Sequence, residues 1–518
     1  MLKYLIIPFA PVALGLAWLT CTSASAAEPG GSQRPNIVFI MADDAGVGDI
    51  AAYPTPIDFN SPVPTPHLDG LVKDGMVFTD AHSPTALCSP TRWAVMTGKL
   101  NYRSHAPWGI WQSFRDGGFR PGDVTLGRVM QDAGYRTGFI GKWHLGGDFA
   151  KLDGSGVYRG VDRNADILAQ VDLTRWVGGG PLDLGFDESL AMPCGIQGPL
   201  YTTYEGRDWL PLTEDSELVR LTEQTVADPR VLSSKGPGPG DSHWDTRTVG
   251  ELLGKRAATF IHDHADDGPF FLCYWSPEVH KPHLPPDTMD GKSIASTTPT
   301  PHTDMVRVLD QEVGMIVQAL KEAGVYDNTL IVFSSDNGGL INHQAKQHGH
   351  DASSGWRGYK NQPYEGGHRV PLIAVWPDAI EPGSSSDTMV NLTDLLATFA
   401  AVAERPLPAE DRPDSLDLSP VLHGDPSFTP REILVLQAGA NHELIYREGP
   451  WKLIIQSDHP LTKFEPRDLF NLDETPLEPA EANLIDDPAH QERIQGMLER
   501  YLELRESGAP TVNPGEST

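Results

Sequence analysis

Asp43-Asp44 and Asp336-Asn337 each follow an apolar run, NIVFIMA and TLIVFSS respectively. One such pair more often starts a turn or caps a helix than does chemistry. Two pairs in the same topological position point to a metal, because open α/β sheets gather ligands beyond the carboxyl ends of their strands. All-oxygen donors suit Ca2+ or Mg2+ better than zinc. The other residue that draws chemistry is Cys88, in ALCSPTRWAVMTGK. Pro90 fits the first turn of a helix, which puts Cys88 at a helix N-terminus, where free N–H groups and the dipole favour negative charge. Arg92 falls one turn on and faces the same place. A plain thiol there is expected to be acidic and easily oxidised.

The elements around these residues alternate between strand-like and amphipathic helical runs. That is the pattern of an α/β fold with a large mixed, mostly parallel sheet flanked by helices. NIVFIMADD, YRTGFIGKWHLGG, PFFLCYWS, NTLIVFSSDNGG and VPLIAVWP read as strands. VTLGRVMQDAG, stopped by Gly134, reads as a helix, as do TVGELLGKRAATFIHDHA, MVRVLDQEVGMIVQALKEAG and LTDLLATFAAVA. The main domain is expected over residues 34–421, with a loop-rich insertion at about 148–245 marked by VGGGP and KGPGPG. Residues 422–518, with HELIYREG, WKLIIQS and HQERIQGMLERYLELRE, read as a smaller C-terminal α+β subdomain.

Residues 1–26 read as a removed signal peptide: a lysine near the start, a short apolar run broken by Pro8 and Pro11, then Ala24-Ser25-Ala26. Trp18-Leu19-Thr20 before Cys21 makes a poor lipobox, so simple cleavage is expected. The mature chain is expected to be exported, periplasmic or secreted, with no membrane span. Its 40 basic and 70 acidic residues give a formal charge of −30, which argues against nucleic acid as a partner. An anionic substrate then needs a local positive site. Cys88, Cys194 and Cys273 remain after cleavage, an odd number that excludes a full disulfide framework. If Cys194 and Cys273 pair, Cys88 is left over.

CSPTR resembles the Cys-x-Pro-x-Arg maturation signature of the sulfatase family, in the alkaline-phosphatase-like superfamily. GYRTGFIGKWHLG is similar to that family's second signature, and RPNIVFIMADD, SSDNGG, YKNQPYEGGHRVP and DLFNLDETPLEPAEANL resemble further segments in family order. A lone five-residue match is weak, but six ordered segments are specific. The resemblance implies that a formylglycine-generating enzyme converts Cys88 to formylglycine. It implies a cation, usually calcium with magnesium or manganese as alternatives, held by Asp43, Asp44, Asp336, Asn337 and an oxygen on the residue derived from Cys88. Arg92 is implied to hold the formylglycine and offset its charge, Lys142 to contact sulfate and aldehyde hydrate, and His144 to contact the hydrate. Lys360, five residues before Glu365, matches the second sulfate-binding lysine, and His280 in EVHKPHLPP matches the histidine at the leaving-group oxygen. His283 is the alternative register. Ala45 and Val47 depart from the bulkier residues frequent in relatives, which bears on packing rather than on ligands.

The chemistry agrees with these roles. A sulfate ester repels anionic nucleophiles, so a catalyst needs concentrated positive charge. An aldehyde hydrate offers one hydroxyl to attack sulfur and a second through which sulfate is expelled, which serine lacks. Export with such a site makes a sulfated carbohydrate the expected substrate class, small aryl sulfates serving as surrogates. A phosphonate monoester or phosphodiester hydrolase of the same superfamily is the first alternative, and an inactive sulfated-glycan-binding protein the second. Trp176, Tyr201, Tyr204, Arg207, Trp209 and Trp244 in the insertion can stack on sugars or, more commonly for such residues, pack the insertion. His343, His348 and His350 can line a subsite, bind a second metal, or sit on a solvated loop.

Overall fold

The apolar run Asn36–Ala42 is a fully buried strand at the centre of the sheet. In the computed structural model it pairs in parallel with Thr329–Ser335 on one side and Phe270–Trp275 on the other. Arg136–Lys142 adds in parallel to Phe270–Trp275, and Glu188–Met192 to Arg136–Lys142. Strands buried on both faces read as continuous Val, Ile, Leu and Phe runs rather than alternating ones, which is why the sequence shows them so clearly. The structure describes residues 34–512 apart from 56, 58, 60, 440, 441 and 460. The expected signal peptide lies outside the described residues.

Among the described residues the sheet has twelve strands, and its five central strands are parallel. Toward one edge, Leu372–Val375 runs antiparallel to Thr329–Ser335, and Met76–Phe78 antiparallel to Leu372–Val375. Toward the other, strands from 148–210 extend the sheet by antiparallel pairing. The sheet is therefore mixed, and its parallel character belongs to the middle. The segment 148–245, which reads as loops, supplies Glu188–Met192 to the central parallel set as well as this antiparallel wing. Its short strands lie between Gly and Pro clusters, and those clusters dominate the sequence pattern.

Val249–His264 and Pro301–Glu322 pack side by side and bury their apolar faces in the same core as the sheet residues Val38, Ile40 and Leu272. Cys88–Thr97 and Asp394–Val402 contribute to a second core, with Phe39 and Phe271. The described residues from Arg34 to Val512 belong to one compact unit. The C-terminal part forms a four-stranded antiparallel sheet, Ile433–Gln437 to Phe464–Asn471, covered by the helix Gln491–Ser507. Cys88, Cys194 and Cys273 are all free thiols, and Cys194 meets Ser113 at 2.9 Å.

Gly141 lies one residue before the end of a strand that points at the candidate site. Its φ is +119°, and a Cβ there would collide with the Trp275 carbonyl oxygen. Gly141→Ala is expected to destabilise the fold by more than about 2 kcal/mol, from strain and overpacking together. Thermal unfolding of the variant against the parent protein checks this.

Candidate active site

Four parallel strands deliver their carboxyl ends to one place. Ala42 pairs with Ser335, so Asp43-Asp44 and Asp336-Asn337 emerge side by side. The Asp44 N–H donates to Asp336 Oδ1 at 3.2 Å, and Asn337 Nδ2 donates to Asp44 Oδ1 at 2.9 Å. Asp44 adopts φ +68°, which turns the chain sharply behind the ligand pair. The backbone of Asp43 exchanges two hydrogen bonds with the loop at Glu278 and Val279, at 2.8 and 2.5 Å, and this holds the loop bearing His280 against the site.

Cys88 opens the helix Cys88–Thr97, whose every residue is buried and which ends on Gly98 in the left-handed conformation. Cys88 Sγ, standing where the oxygens of a formylglycine hydrate would be, lies 3.4 Å from His144 Nδ1. Ser89 Oγ donates to the His144 carbonyl at 2.8 Å and accepts from the Trp111 N–H at 2.9 Å, fixing the backbone that carries His144. Arg92 donates twice to Asp336 Oδ2, at 3.0 and 2.7 Å, and once to the Lys142 carbonyl at 3.1 Å. Its guanidinium lies over the Trp275 ring, 5.2 Å from the centroid. Lys142 pairs with Asp43, Lys360 reaches Asp44 Oδ1 at 2.5 Å, and His280 Nε2 stands 3.8 Å from Asp44 Oδ2.

These charges interact in a nearly dry pocket. Burial alone would raise the Asp43 and Asp44 carboxyls, but Lys142 at the first and Lys360 at the second, with His280 at both, hold them below their ordinary values. Asp336 is pushed up to about 7, by burial and by Asp43, despite Arg92. Burial pushes the Cys88 thiol up as well, with Asp43 and Asp336 adding to it against the lowering pull of Lys142 and Lys360. The acidic thiol expected from the helix N-terminus is therefore corrected: burial, aided by Asp43 and Asp336, outweighs the pull of Lys142 and Lys360. His144 is held neutral by burial and by Lys142 and Arg92, and His280 is pushed down to about 4 by burial and Lys360.

Asp43 Oδ1, Asp44 Oδ2 and Asn337 Oδ1 are buried without a hydrogen-bond donor. Asp43, Cys88 and Asp336 also offer atoms that converge within 4.8 Å. Three orphaned oxygens on a carboxylate-rich set fit a hard divalent cation.

A family model described as Sulfatase matches residues 35–404. The chain belongs to the sulfatase family. It is 29% identical over 496 residues to N-acetylgalactosamine-6-O-sulfatase of Bacteroides thetaiotaomicron, covering 88% of this chain and 89% of that protein. It is 31% identical over 526 residues to bovine (Bos taurus) arylsulfatase A, covering 96% and 93%. A solved Bacteroides thetaiotaomicron structure, described with the metabolism of multiple glycosaminoglycans, superposes with a TM-score of 0.74 at 26% identity, covering 92% of this chain and all of that one. Another, solved with D-glucosamine-2-N,6-O-disulfate, shares the fold at 17% identity and a TM-score of 0.61, covering 94% of this chain and all of that one. The protein is thus a sulfuric ester hydrolase.

In this sulfatase Cys88, Arg92, Lys142, His144, His280, Lys360 and the two oxygen pairs converge on one site, whereas His283 turns toward His302, with ring centroids 4.8 Å apart. The insertion aromatics pack instead: Trp176, Tyr201, Tyr204 and Trp244 are buried, and the two tyrosine hydroxyls donate to backbone carbonyls. Arg207 pairs with Asp183 at 2.6 Å. His343, at the start of the short helix His343–Gln347, and His348, just past its end, are exposed, while His350 is buried. Ser89 and Glu278 escaped sequence reasoning because their work is done by one hydroxyl and one backbone carbonyl, which leave no distinctive spacing.

Calcium added to metal-stripped protein is expected to raise the melting temperature, by the equivalent of about 2.7 kcal/mol at a hundredfold excess over Kd. Asn337→Ala should weaken that response at least tenfold. Differential scanning calorimetry across a calcium series measures both.

Proposed function

We propose that this sulfatase is exported and hydrolyses sulfate esters on a carbohydrate, with Cys88 matured to formylglycine beside a calcium-class cation. One observation carries the reading: Cys88 sits at a helix N-terminus within a ring of Arg92, Lys142, Lys360 and His144, next to the orphaned oxygens. The names of the Bacteroides relative and of the sugar-bound neighbour support a sulfated sugar. The leader-like N-terminus supports export.

Asp43, Asp44, Asp336 and Asn337 would hold the cation, which when bound supplies charge stabilisation at the sulfate and at the attacking oxygen. Formylglycine, once hydrated, supplies two hydroxyls, one to attack sulfur and one through which sulfate leaves. Lys142 and Lys360 bind the sulfate oxygens where negative charge develops, and Arg92 keeps Asp336 and the helix start in register. His144 is neutral, with a ring nitrogen facing residue 88, so it can accept the proton of the second hydroxyl. His280 donates Nδ1–H to the Lys281 carbonyl at 2.8 Å, leaving Nε2 toward the site. It is neutral in the free site, so it acts as an acid after an anionic ester has come within reach and raised its proton affinity.

Catalytic efficiency toward a sulfated N-acetylgalactosamine, and toward matched aryl sulfate and phosphodiester surrogates, tests the proposal. Sulfate esters should be preferred, and a clear preference for phosphodiesters would overturn it. His280→Asn should slow sugar sulfates by about 10²–10⁴-fold while slowing aryl sulfates with good leaving groups far less. Equal losses for both would remove His280 from the leaving-group position.

A further inference from the structure

The edge of the sheet that carries the ester site also carries a second cavity, of about 310 Å³, with none of the catalytic residues in its wall. Strand register places it. Ile373 pairs with Phe333 on one side and with Val77 on the other, so Asp336 and Asp80, each three residues further along, leave the sheet at the same edge. Two strand spacings, about 10 Å, separate them. The far wall of the cavity comes from the C-terminal part of the chain, through Arg447 and the loop at Leu472 and Asp473.

Asp80 Oδ1 accepts three hydrogen bonds, from His82 Nε2 at 2.8 Å, Arg369 Nη2 at 2.7 Å and Arg447 Nη1 at 3.0 Å. Burial favours the neutral acid, but Arg369, His82 and Arg447 hold the carboxyl well below its ordinary range, so it acts as an acceptor only. Arg447 donates its Nε–H to the Gly449 carbonyl at 2.9 Å. Among the described residues, Asp80 Oδ2 and Arg447 Nη2 have no partner. A fixed spare acceptor and a spare donor therefore belong to one ion pair on the cavity wall. Trp356 lines the same cavity, with the Arg369 guanidinium 4.3 Å from its ring centroid, and Val47 and Leu472 add apolar surface. Arg369 and Arg447 balance Asp80 and Asp473, so the lining holds no surplus positive charge for a second sulfate.

An acceptor and a donor on one wall, with an aromatic ring beside them, match two neighbouring hydroxyls of a pyranose. One hydroxyl donates to Asp80 Oδ2, the next accepts from Arg447 Nη2, and the apolar face of the sugar packs on the indole. We propose that this cavity binds an unsulfated sugar ring and is a distal subsite for the glycan whose ester is cleaved at residue 88. The link to the ester rests on the carbohydrate reading above, whereas the sugar site itself does not. Three hydrogen bonds to a single carboxylate oxygen hold the acceptor in place before a ligand arrives, which lowers the ordering cost of binding.

Saturation-transfer NMR with galactose, glucose, mannose and N-acetylgalactosamine tests the site, because all four present the hydroxyl pairs it reads. Transfer to at least one of them is expected, and Arg447→Met and Trp356→Ala should each weaken it at least tenfold. Lys360→Ala, in the ester site, should leave the transfer in place. Should Trp356→Ala fail to fold, Arg447→Met gives the same reading. No transfer to any of the four sugars, transfer that survives Arg447→Met, or transfer lost in folded Lys360→Ala would overturn the site. For the link, Arg447→Met should raise the KM of a sulfated oligosaccharide about tenfold relative to that of a sulfated monosaccharide. Equal KM changes for the two substrates would overturn the link. A protein that binds the free sugars but cleaves no sugar sulfate would overturn the carbohydrate reading and the link together, and leave the site standing.

Discussion

Three carboxylates and three cations, packed together out of water, are the constraint from which the rest of this structure follows. Asp43, Asp44 and Asp336 are fully or almost fully buried, and so are Arg92, Lys142 and Lys360. Moving any one of them out of water alone would cost several kcal/mol, and breaking one pair leaves its partner uncompensated. The six therefore depend on one another. Formal charges cancel within the set, and Asp336, pushed up to about 7, marks where the negative charges crowd most. A bound divalent cation would relieve that crowding and turn a neutral site into one with two positive charges to spare. That is the charge a sulfate ester and its departing sulfate require.

The fold meets this constraint with strand ends that cannot drift. Parallel pairing sets Asp43 beside Asp336, Gly141 lets the Lys142 strand close against Trp275, and the Arg92 side chain spans the gap between them. Lys360 comes from a long loop and needs another anchor. The C-terminal sheet supplies one through Lys452, whose ammonium contacts Glu365, His368 and Glu478 with no exposure to solvent. Arg357 also donates to the Glu478 carbonyl at 2.7 Å. The smaller C-terminal sheet thus braces the loop that carries a sulfate-binding lysine.

Much of this was legible in the sequence because buried parallel strands and a helix N-terminus leave strong local signatures. The two oxygen pairs, Cys88, Arg92, Lys142 and His144 fall at strand or helix ends that apolar runs announce. His280 and His283 shared one short loop, and only the tertiary packing, which turns one ring toward Asp44 and the other toward His302, separates them. The insertion was harder to read. Its strands are short and antiparallel, and its aromatic residues serve the core, which composition cannot distinguish from a sugar platform. The acidity expected of Cys88 failed for a similar reason: the helix start is visible in the local sequence, but the burial that raises the thiol comes from the whole fold.

The central claim is that Cys88 is a precursor whose oxidised form performs the reaction inside this charge-balanced pocket. Peptide mass spectrometry over Ala86 to Arg92, on preparations whose specific activity is measured in parallel, tests it most directly. The account predicts that activity rises in proportion to the fraction of residue 88 present as the aldehyde and vanishes in preparations that hold only the thiol. Full activity from protein in which every Cys88 is an unmodified thiol would contradict it.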